Sequence, residues 1–288
     1  MHLYLGHHAS KLLYYDNETE ALRPDLVFVD AGGSIVFEIN ELGLKGEARD
    51  ESRKLAVVWG DSVVFGAGRG WPCLLDDLVS GYQFLNGGIE GDSFANILRR
   101  ASEMNHRQAV ALNLVMLGWH PLPDNRNVRS ALTAFLHSTP NTILVTMPTA
   151  LNKRIARLDL SCYVANRDGP DAFTFCGNLP YSRELQSAAF DYILERNQIV
   201  RDISRQTDTP LVDLFCEFDT EHLADFRQEF SDMIHLRPSA YPKIARVIYE
   251  GIKHRLKPAI SVVNNSSNGS ETVASIDQRQ PLHKTRLA

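Results

Sequence analysis

The sequence contains the stretch Leu55-Ala-Val-Val-Trp-Gly-Asp-Ser62-Val-Val-Phe-Gly-Ala-Gly68. Its first five residues form an apolar, β-rich run, which is typical of a strand buried on both faces in a parallel sheet. The run ends at Gly60, which permits a tight turn, and Ser62 follows at once. Open α/β sheets bind their ligands at the carboxyl ends of the strands. Ser62 is therefore a candidate nucleophile, and its alternative role is to cap the following helix.

Further apolar runs follow, and they alternate with segments of helical pattern. The predicted strands are Leu55–Trp59, Tyr82–Leu85, Ala109–Leu117, Thr142–Thr146 and Leu211–Leu214. One predicted helix begins near Trp71, and four others span about 94–104, 127–136, 182–205 and 240–255. This alternation predicts a three-layer α/β/α sandwich around a five-stranded parallel sheet, with right-handed crossovers and a flavodoxin-like strand order. Residues 150–180 form a polar insertion for which we predict no regular element.

The 288 residues divide into three predicted parts. Residues 1–54 form an N-terminal segment, in which Leu26–Val29 and Ser34–Ile39 flank a Gly-Gly turn and predict a β-hairpin. Residues 55–257 form the α/β domain. Residues 258–288 are rich in Ser, Asn and Gln and have little to bury, so we predict a disordered tail.

Composition and charge exclude several classes of function. The net charge of -5, without a dense Lys/Arg block, argues against a nucleic-acid partner. No apolar stretch approaches the ~20 residues of a membrane span, and the start of the chain lacks a signal-peptide pattern. The four cysteines are scattered, which favours reduced thiols over a zinc ribbon or a disulfide framework. We therefore expect a cytoplasmic protein with no membrane partner.

Two short motifs bear on metals and cofactors. His7 and His8 are adjacent, but no further His, Cys or carboxylate stands at ligand spacing, so we predict no metal site. Gly66-Ala-Gly-Arg-Gly70 approaches the dinucleotide fingerprint, but its sixth position is Trp71. We therefore predict no cofactor.

A serine nucleophile needs a base, which is usually a histidine oriented by a carboxylate. Asp232 and His235 stand three residues apart just before the last predicted helix, a spacing that can bring carboxylate and imidazole together on one turn. The alternative base is His222, which has Asp219 and Asp225 nearby. We favour His235 because its loop can lie beside the exit of the first strand.

An acyl-transfer site also needs hydrogen-bond donors aimed at the oxyanion, each typically worth ~3 kcal/mol. The backbone N–H groups of Ser62 and Gly91 are candidates, and His120 offers a third donor after the third strand. These residues follow the first three strands of the predicted domain, whose carboxyl ends meet at one edge of a parallel sheet. Their convergence is a stronger indication of a site than any one of them.

Four segments resemble the four blocks of the SGNH (GDSL) hydrolase superfamily. They are Gly60-Asp-Ser62, Asn86-Gly-Gly-Ile-Glu-Gly91-Asp92, Leu117-Gly-Trp-His120 and Asp232-Met-Ile-His235. The resemblance covers roughly residues 37–255 and implies a metal-free Ser-His-Asp mechanism on esters. By this match Ser62 is the nucleophile, His235 the base, Asp232 its partner and Gly91 an oxyanion donor. The second Gly-Asp-Ser belongs to the second block, so Ser93 is not the expected nucleophile.

The third block departs from the family pattern, which has an asparagine where this chain has His120. A neutral imidazole keeps one N–H to donate, so His120 can replace the asparagine. It can equally point elsewhere, which leaves two donors and a slower enzyme.

These observations predict a serine esterase of the SGNH type that acts on a small acyl ester, such as acetyl on a carbohydrate. The substrate rests on family analogy. One alternative is an O-acyltransferase with the same triad, since only the acceptor differs. The other is a binding module that kept the fold and lost the oxyanion asparagine.

Overall fold

The fold combines a central parallel sheet with flanking helices and a smaller N-terminal β structure. The computed structural model describes residues 2–4, 11–120, 125–151, 159–161, 181–218 and 226–256. Its strands are β1 (His2–Tyr4), β2 (Tyr15–Asp16), β3 (Ala21–Leu22), β4 (Leu26–Val29), β5 (Ile35–Ile39), β6 (Lys54–Gly60), β7 (Tyr82–Gly88), β8 (Val110–Met116), β9 (Thr142–Val145) and β10 (Leu211–Val212). Its α-helices are α1 (Lys11–Tyr14), α2 (Ser62–Phe65), α3 (Phe94–Arg107), α4 (Val128–Ser138), α5 (Arg183–Thr207), α6 (Leu214–Phe218), α7 (Phe226–Glu229) and α8 (Tyr241–Ile252).

The central sheet has five strands in the order β10-β9-β8-β6-β7. Every neighbouring pair is parallel. Numbered within the sheet, this is the 2-1-3-4-5 order of flavodoxin-like folds, with the first strand, β6, between the edge strand β7 and the central strand β8. The strand order changes direction between β6 and β8, which is where such folds open a crevice for a ligand.

The two faces of the central sheet carry separate apolar layers, because alternate side chains of a strand point to opposite faces. Val58 of β6 belongs to a buried cluster that includes Ile244 of α8. Its neighbour Val57 belongs to a second cluster, which includes Ile97 of α3 and Leu132 of α4. Helices therefore cover both faces, and the predicted three-layer α/β/α sandwich with a five-stranded parallel sheet is confirmed.

Strand β7 extends further than the sequence predicts, through two glycines that normally weaken a strand. A Cβ at Gly87 would lie 2.5 Å from a ring carbon of Trp59, and a Cβ at Gly88 would lie 2.3 Å from the backbone nitrogen of Phe65. The glycines are therefore required by close packing against β6 and α2. This packing brings the ends of β6 and β7 together.

Other element ends also differ from the predictions. Strand β10 stops at Val212, because Leu214 already begins a helix. The helix predicted near Trp71 is a 3-10 turn over Trp71–Leu75. Most of the insertion at 150–180, and all of the tail at 258–288, lie outside the described residues. In the described part of the chain, no helix is long and apolar enough to cross a membrane.

The N-terminal segment packs onto the loops that leave β6 and β7. Strands β4 and β5 form the predicted antiparallel hairpin, and β1 pairs in parallel with β4. A buried cluster joins Tyr14, Phe28 and Phe37 to Phe65 of α2 and to Ile89, which follows β7. The segment belongs to the same compact unit as the α/β domain. The boundary between residues 54 and 55 stays a prediction.

Candidate active site

Ser62 is the first residue of α2, directly beyond the carboxyl end of β6. The turn is tight, and a Cβ at Gly60 would come within 2.3 Å of the Val64 side chain. The helix cap is Asp61, whose side chain accepts the backbone N–H of Val63 at 3.0 Å. The capping role considered for Ser62 therefore belongs to Asp61, and the Ser62 hydroxyl is left for another partner.

That partner is His235. Its Nε2 lies 2.7 Å from Ser62 Oγ, and its Nδ1 lies 2.6 Å from Asp232 Oδ2. The Asp232 Oδ1 atom accepts the backbone N–H groups of Ile234 at 2.9 Å and of His235 at 2.7 Å. One carboxylate thus shapes the turn and orients the ring on it. The alternative base, His222, and its neighbours Asp219 and Asp225 lie outside the described residues.

The contact with Asp232 fixes the proton on Nδ1 of a neutral His235, because a carboxylate only accepts hydrogen bonds. The Nε2 lone pair then faces the Ser62 hydroxyl. Burial opposes the charged form of His235, but the hydrogen bond and the charge of Asp232 outweigh it, so the pKa of His235 is raised. Asp232 itself is 3% exposed. The imidazole is therefore placed to accept a proton from the serine and to keep it beside a buried carboxylate.

Gly91 lies in the turn after β7, at the same edge of the sheet as Ser62, where the carboxyl ends of the parallel strands meet. Its φ of 67° is in the left-handed region that favours glycine. The Ile89 N–H donates to the Gly60 carbonyl at 3.1 Å, which ties this turn to the end of β6. Among the described residues, neither the Gly91 N–H nor the Ser62 N–H has a hydrogen-bond acceptor. Both remain available to a bound oxyanion.

His120 follows β8 and forms a parallel β-bridge with Ser93. Its half-buried ring packs edge-on against Trp119, with 5.1 Å between the ring centroids. No described residue hydrogen-bonds to its ring nitrogens. Burial lowers the pKa of His120, so the neutral ring with a single N–H is favoured. Ser93 caps α3 through its Oγ, which accepts the backbone N–H of Asn96 at 3.2 Å.

Asp61 links two strand exits, a role that was not predicted from the sequence. Besides capping α2, its carboxylate accepts the backbone N–H of Trp119 at 3.1 Å. A Cβ at Gly118 would lie only 2.1 Å from Asp61 Oδ2, so the glycine makes room for this contact. Asp61 is fully buried, and burial raises its pKa. The signal available in the sequence was the pair of motifs, Gly-Asp-Ser and Gly-Trp-His, that supply the two partners.

Two further polar side chains hold the end of α2 in place. Asn86 Nδ2 donates to the carbonyls of Val64 at 2.9 Å and Phe65 at 3.1 Å. Lys45 Nζ donates to the carbonyls of Phe65 at 2.7 Å and Gly66 at 3.0 Å. Lys45 is 1% exposed, and burial lowers its pKa to about 7. Nothing in the sequence around Lys45 indicates this role, because its partners are about twenty residues away.

The described residues contain no group of three or more His, Cys, Asp or Glu side chains that could hold a metal ion. The site as described consists of a hydrogen-bonded Ser-His-Asp array, two backbone N–H groups without acceptors and the imidazole of His120, whose pKa is lowered by burial. Such an array can transfer a proton from a hydroxyl and stabilise a developing negative charge on oxygen.

Comparisons with known proteins give likeness of structure only. No model of a known family matches the chain, and no curated protein matches it in sequence. A lipase/acylhydrolase from Enterococcus faecalis is similar over 71% of this chain and 98% of its own, with 18% identity and a TM-score of 0.49. An acetyl xylan esterase from Geobacillus stearothermophilus is similar over 69% of this chain and 94% of its own, with 17% identity and a TM-score of 0.49.

A third structure, a member of the lipolytic G-D-S-L family from Veillonella parvula, is similar over 68% of this chain and 97% of its own. Its identity is 16% and its TM-score 0.48. The three neighbours are named as a lipase/acylhydrolase, an acetyl xylan esterase and a lipolytic G-D-S-L family member. At such identities the likeness concerns the fold, so an activity must follow from the chemistry of the site.

Proposed function

We propose that the protein is a serine esterase of the SGNH type, with Ser62 as nucleophile, His235 as base and Asp232 as its orienting partner. The observation that carries the proposal is the continuous pair of hydrogen bonds from Ser62 Oγ to His235 and from His235 to Asp232, at 2.7 Å and 2.6 Å. Such an array makes a hydroxyl nucleophilic at neutral pH. A serine without a catalytic role does not need this pair of hydrogen bonds.

In the proposed mechanism, Ser62 Oγ attacks the acyl carbonyl while its proton passes to His235 Nε2. The carbonyl oxygen becomes an oxyanion, which accepts hydrogen bonds from the backbone N–H groups of Ser62 and Gly91 and from the imidazole N–H of His120. As the intermediate collapses, His235 gives its proton to the departing alcohol, and an acyl-enzyme remains. Water then attacks with His235 again as base, which releases the carboxylic acid and restores Ser62.

For the substrate we propose a small acyl ester, such as acetyl on a carbohydrate, in line with the family resemblance. The His235 side chain keeps 32% of its exposure, so the site opens to solvent. An open site at a sheet edge suits an acyl group that needs little apolar enclosure.

The test is covalent labelling with a fluorophosphonate probe, read by intact mass. We expect one adduct on the wild-type protein, none on Ser62→Ala, and one on Ser93→Asn. The last variant is a matched control, because it removes the hydroxyl of the second Gly-Asp-Ser while asparagine can still cap α3. No wild-type adduct between pH 7 and pH 9 would contradict the proposal and leave the binding module as the better account.

A second measurement separates hydrolysis from transfer. Wild-type protein without the fluorophosphonate label is incubated with p-nitrophenyl acetate and p-nitrophenyl octanoate, with and without sugars as acceptors. We expect faster release from the acetate ester and free acetic acid as the product. Acetylated sugar detected by mass spectrometry as the main product would instead identify an O-acyltransferase with the same triad.

A further inference from the structure

The peptide unit between Glu90 and Gly91 has contacts on both of its sides. Its N–H group is the proposed oxyanion donor and has no acceptor among the described residues. Its carbonyl, which belongs to Glu90, accepts a hydrogen bond from the Lys11 ammonium. In a trans peptide the C=O and N–H bonds point in opposite directions. Lys11 therefore contacts the peptide on the side away from the donated hydrogen.

Lys11 is held at this position by the rest of α1. Tyr14, at the other end of the helix, donates its hydroxyl to Glu90 Oε2 at 2.7 Å, and its ring stacks on that of Phe65 at 5.5 Å between centroids. The Lys11 ammonium also lies 4.2 Å from the centre of the Tyr15 ring. The contacts of Tyr14 anchor the helix to the end of α2, the helix that begins at Ser62, and to Glu90 in the turn that contains Gly91.

The charge of Lys11 also reaches the third donor. Burial of the His120 ring is the main cause of its lowered pKa, and the charges of His235 and Lys11 lower that pKa further. A Cβ built on Gly91 would lie 4.0 Å from Lys11 Nζ, so the ammonium stands close to the turn itself. The N-terminal segment thus brings a cation to the side of the site where the negative charge of the transition state develops.

We propose that Lys11 is a positioning residue that strengthens the Gly91 N–H as an oxyanion donor through the Glu90–Gly91 peptide. This inference rests on the proposed esterase function. A cation bound to a peptide carbonyl polarises the whole amide, which makes its N–H a stronger donor, since hydrogen bonds in a chain reinforce one another. The same contact fixes the plane of the peptide before the substrate arrives, so no reorganisation is needed in the transition state.

This role suits a chain in which a histidine stands where related motifs have an asparagine. Hydrogen bonds to charged groups are roughly twice as strong as those between neutral groups. A neutral His120 offers one N–H, whose direction depends on the tautomer. A reinforced Gly91 donor compensates for that weaker third position. The N-terminal segment, which contains Lys11, is therefore part of the catalytic apparatus as well as a lead-in to the domain.

The test compares Lys11→Met and Lys11→Arg with the wild type, using p-nitrophenyl acetate. We expect Lys11→Met to lower kcat about tenfold, a part of the ~100-fold cost of losing a whole donor, with KM within about twofold. Lys11→Arg keeps the cation and should restore most of kcat. The control is Lys54→Met, because Lys54 also lies over an aromatic ring, that of Tyr82 at 5.3 Å, but at the opposite end of β6.

A trifluoromethyl ketone supplies a readout specific to the oxyanion, because its adduct with a serine carries a negative oxygen. We expect its affinity for Lys11→Met to fall by the same factor as kcat. An unchanged kcat, or a rise in KM alone, would overturn the proposal and leave Lys11 as a structural or substrate-binding residue. If Lys11→Met is unfolded by circular dichroism, Lys11→Arg still decides, since a folded arginine variant whose kcat is about tenfold below that of the wild type contradicts the role. The proposed function fails separately, through absence of the wild-type fluorophosphonate adduct.

Discussion

The side of the site with the proposed nucleophile, formed by Ser62, His235 and Asp232, is built differently from the side with the proposed oxyanion donors Gly91 and His120. We call them the nucleophile side and the donor side. On the nucleophile side each side chain has its hydrogen-bond partner in place, and the contacts measure 2.6 Å and 2.7 Å. On the donor side, the Gly91 N–H and the His120 ring have no acceptor in the described residues.

The difference follows from what each side has to do. A base must hold its tautomer before the substrate arrives, so its partners belong to the protein. An oxyanion donor must have no acceptor within the protein, because its acceptor is the substrate oxygen of the transition state. Contacts that hold the donor in place therefore involve other atoms of its peptide or neighbouring residues. The nucleophile side is therefore stabilised by direct contacts, and the donor side by contacts such as Asp61 to Trp119 and Lys11 to Glu90.

The largest expected effect comes from Asp232→Asn, which breaks the nucleophile side. The asparagine oxygen can still accept the N–H groups of Ile234 and His235, so the turn is kept, but an NH2 group then faces His235 Nδ1. The ring must take the other tautomer, which places a hydrogen between Nε2 and Ser62. We expect kcat for p-nitrophenyl acetate to fall about 10³ to 10⁴-fold.

The same variant should move the acid limb of the pH profile. Only neutral His235 acts as a base. Burial opposes its charged form, and Asp232 makes the largest of the contributions that raise its pKa, ahead of Asp61 and Glu90. Without the carboxylate the pKa falls, so the rise of kcat/KM with pH should begin at a lower pH than in the wild type. A limb that stays in place, or moves to higher pH, would contradict the assignment of His235 as the titrating base.

The next effect in size tests the donor side. We expect His120→Ala to lower kcat about 100-fold, because it removes one oxyanion donor, while His120→Asn keeps or raises kcat. The neutral imidazole of His120 is favoured by its lowered pKa, so the wild type should not need a protonated ring. Equal kcat for wild type, His120→Ala and His120→Asn would mean that the ring does not meet the oxyanion.

The two sides also differ in how far they can be predicted from the sequence. Ser62 follows a strand whose apolar pattern is local, and Asp232 and His235 are three residues apart, so short segments carry the signal. The contact of Lys11 with Glu90 and that of Lys45 with Phe65 join residues that are far apart in the chain. No local pattern indicates such pairs, because they depend on how the N-terminal segment packs onto the strand exits.

The fold shows the same division. The order of the parallel sheet follows from strand–helix alternation and the handedness of crossovers, and it was predictable. The end of β7 was not predictable from the sequence. Gly87 and Gly88 belong to the strand because the Trp59 ring and the Phe65 backbone pack so closely against them that a Cβ has no room. The packing of neighbouring elements determines where such a strand ends, and this packing cannot be inferred from a single sequence.

The smallest effect concerns the support of α2 by Lys45. Burial lowers the pKa of this lysine to about 7, well below its ordinary value of 10.5. Below pH 7 the lysine is protonated in both the folded and the unfolded chain, and folding bears the full cost of burying the charge. Above pH 7 the folded protein releases the proton while the unfolded chain keeps it. The free energy of unfolding should therefore rise with pH, by at most about 1.4 kcal/mol per pH unit.

Urea denaturation at pH 6, 7.5 and 9 measures this effect. We expect the wild type to gain stability relative to Lys45→Met as the pH rises, and the exposed Lys54→Met to show no such difference. Parallel pH curves for wild type and Lys45→Met would show that the buried lysine keeps its ordinary pKa. The variant should retain most of its kcat, because Asn86 still donates to the carbonyls of Val64 and Phe65. A loss of kcat as large as that of His120→Ala would instead place Lys45 among the groups on which the position of α2 and of Ser62 depends.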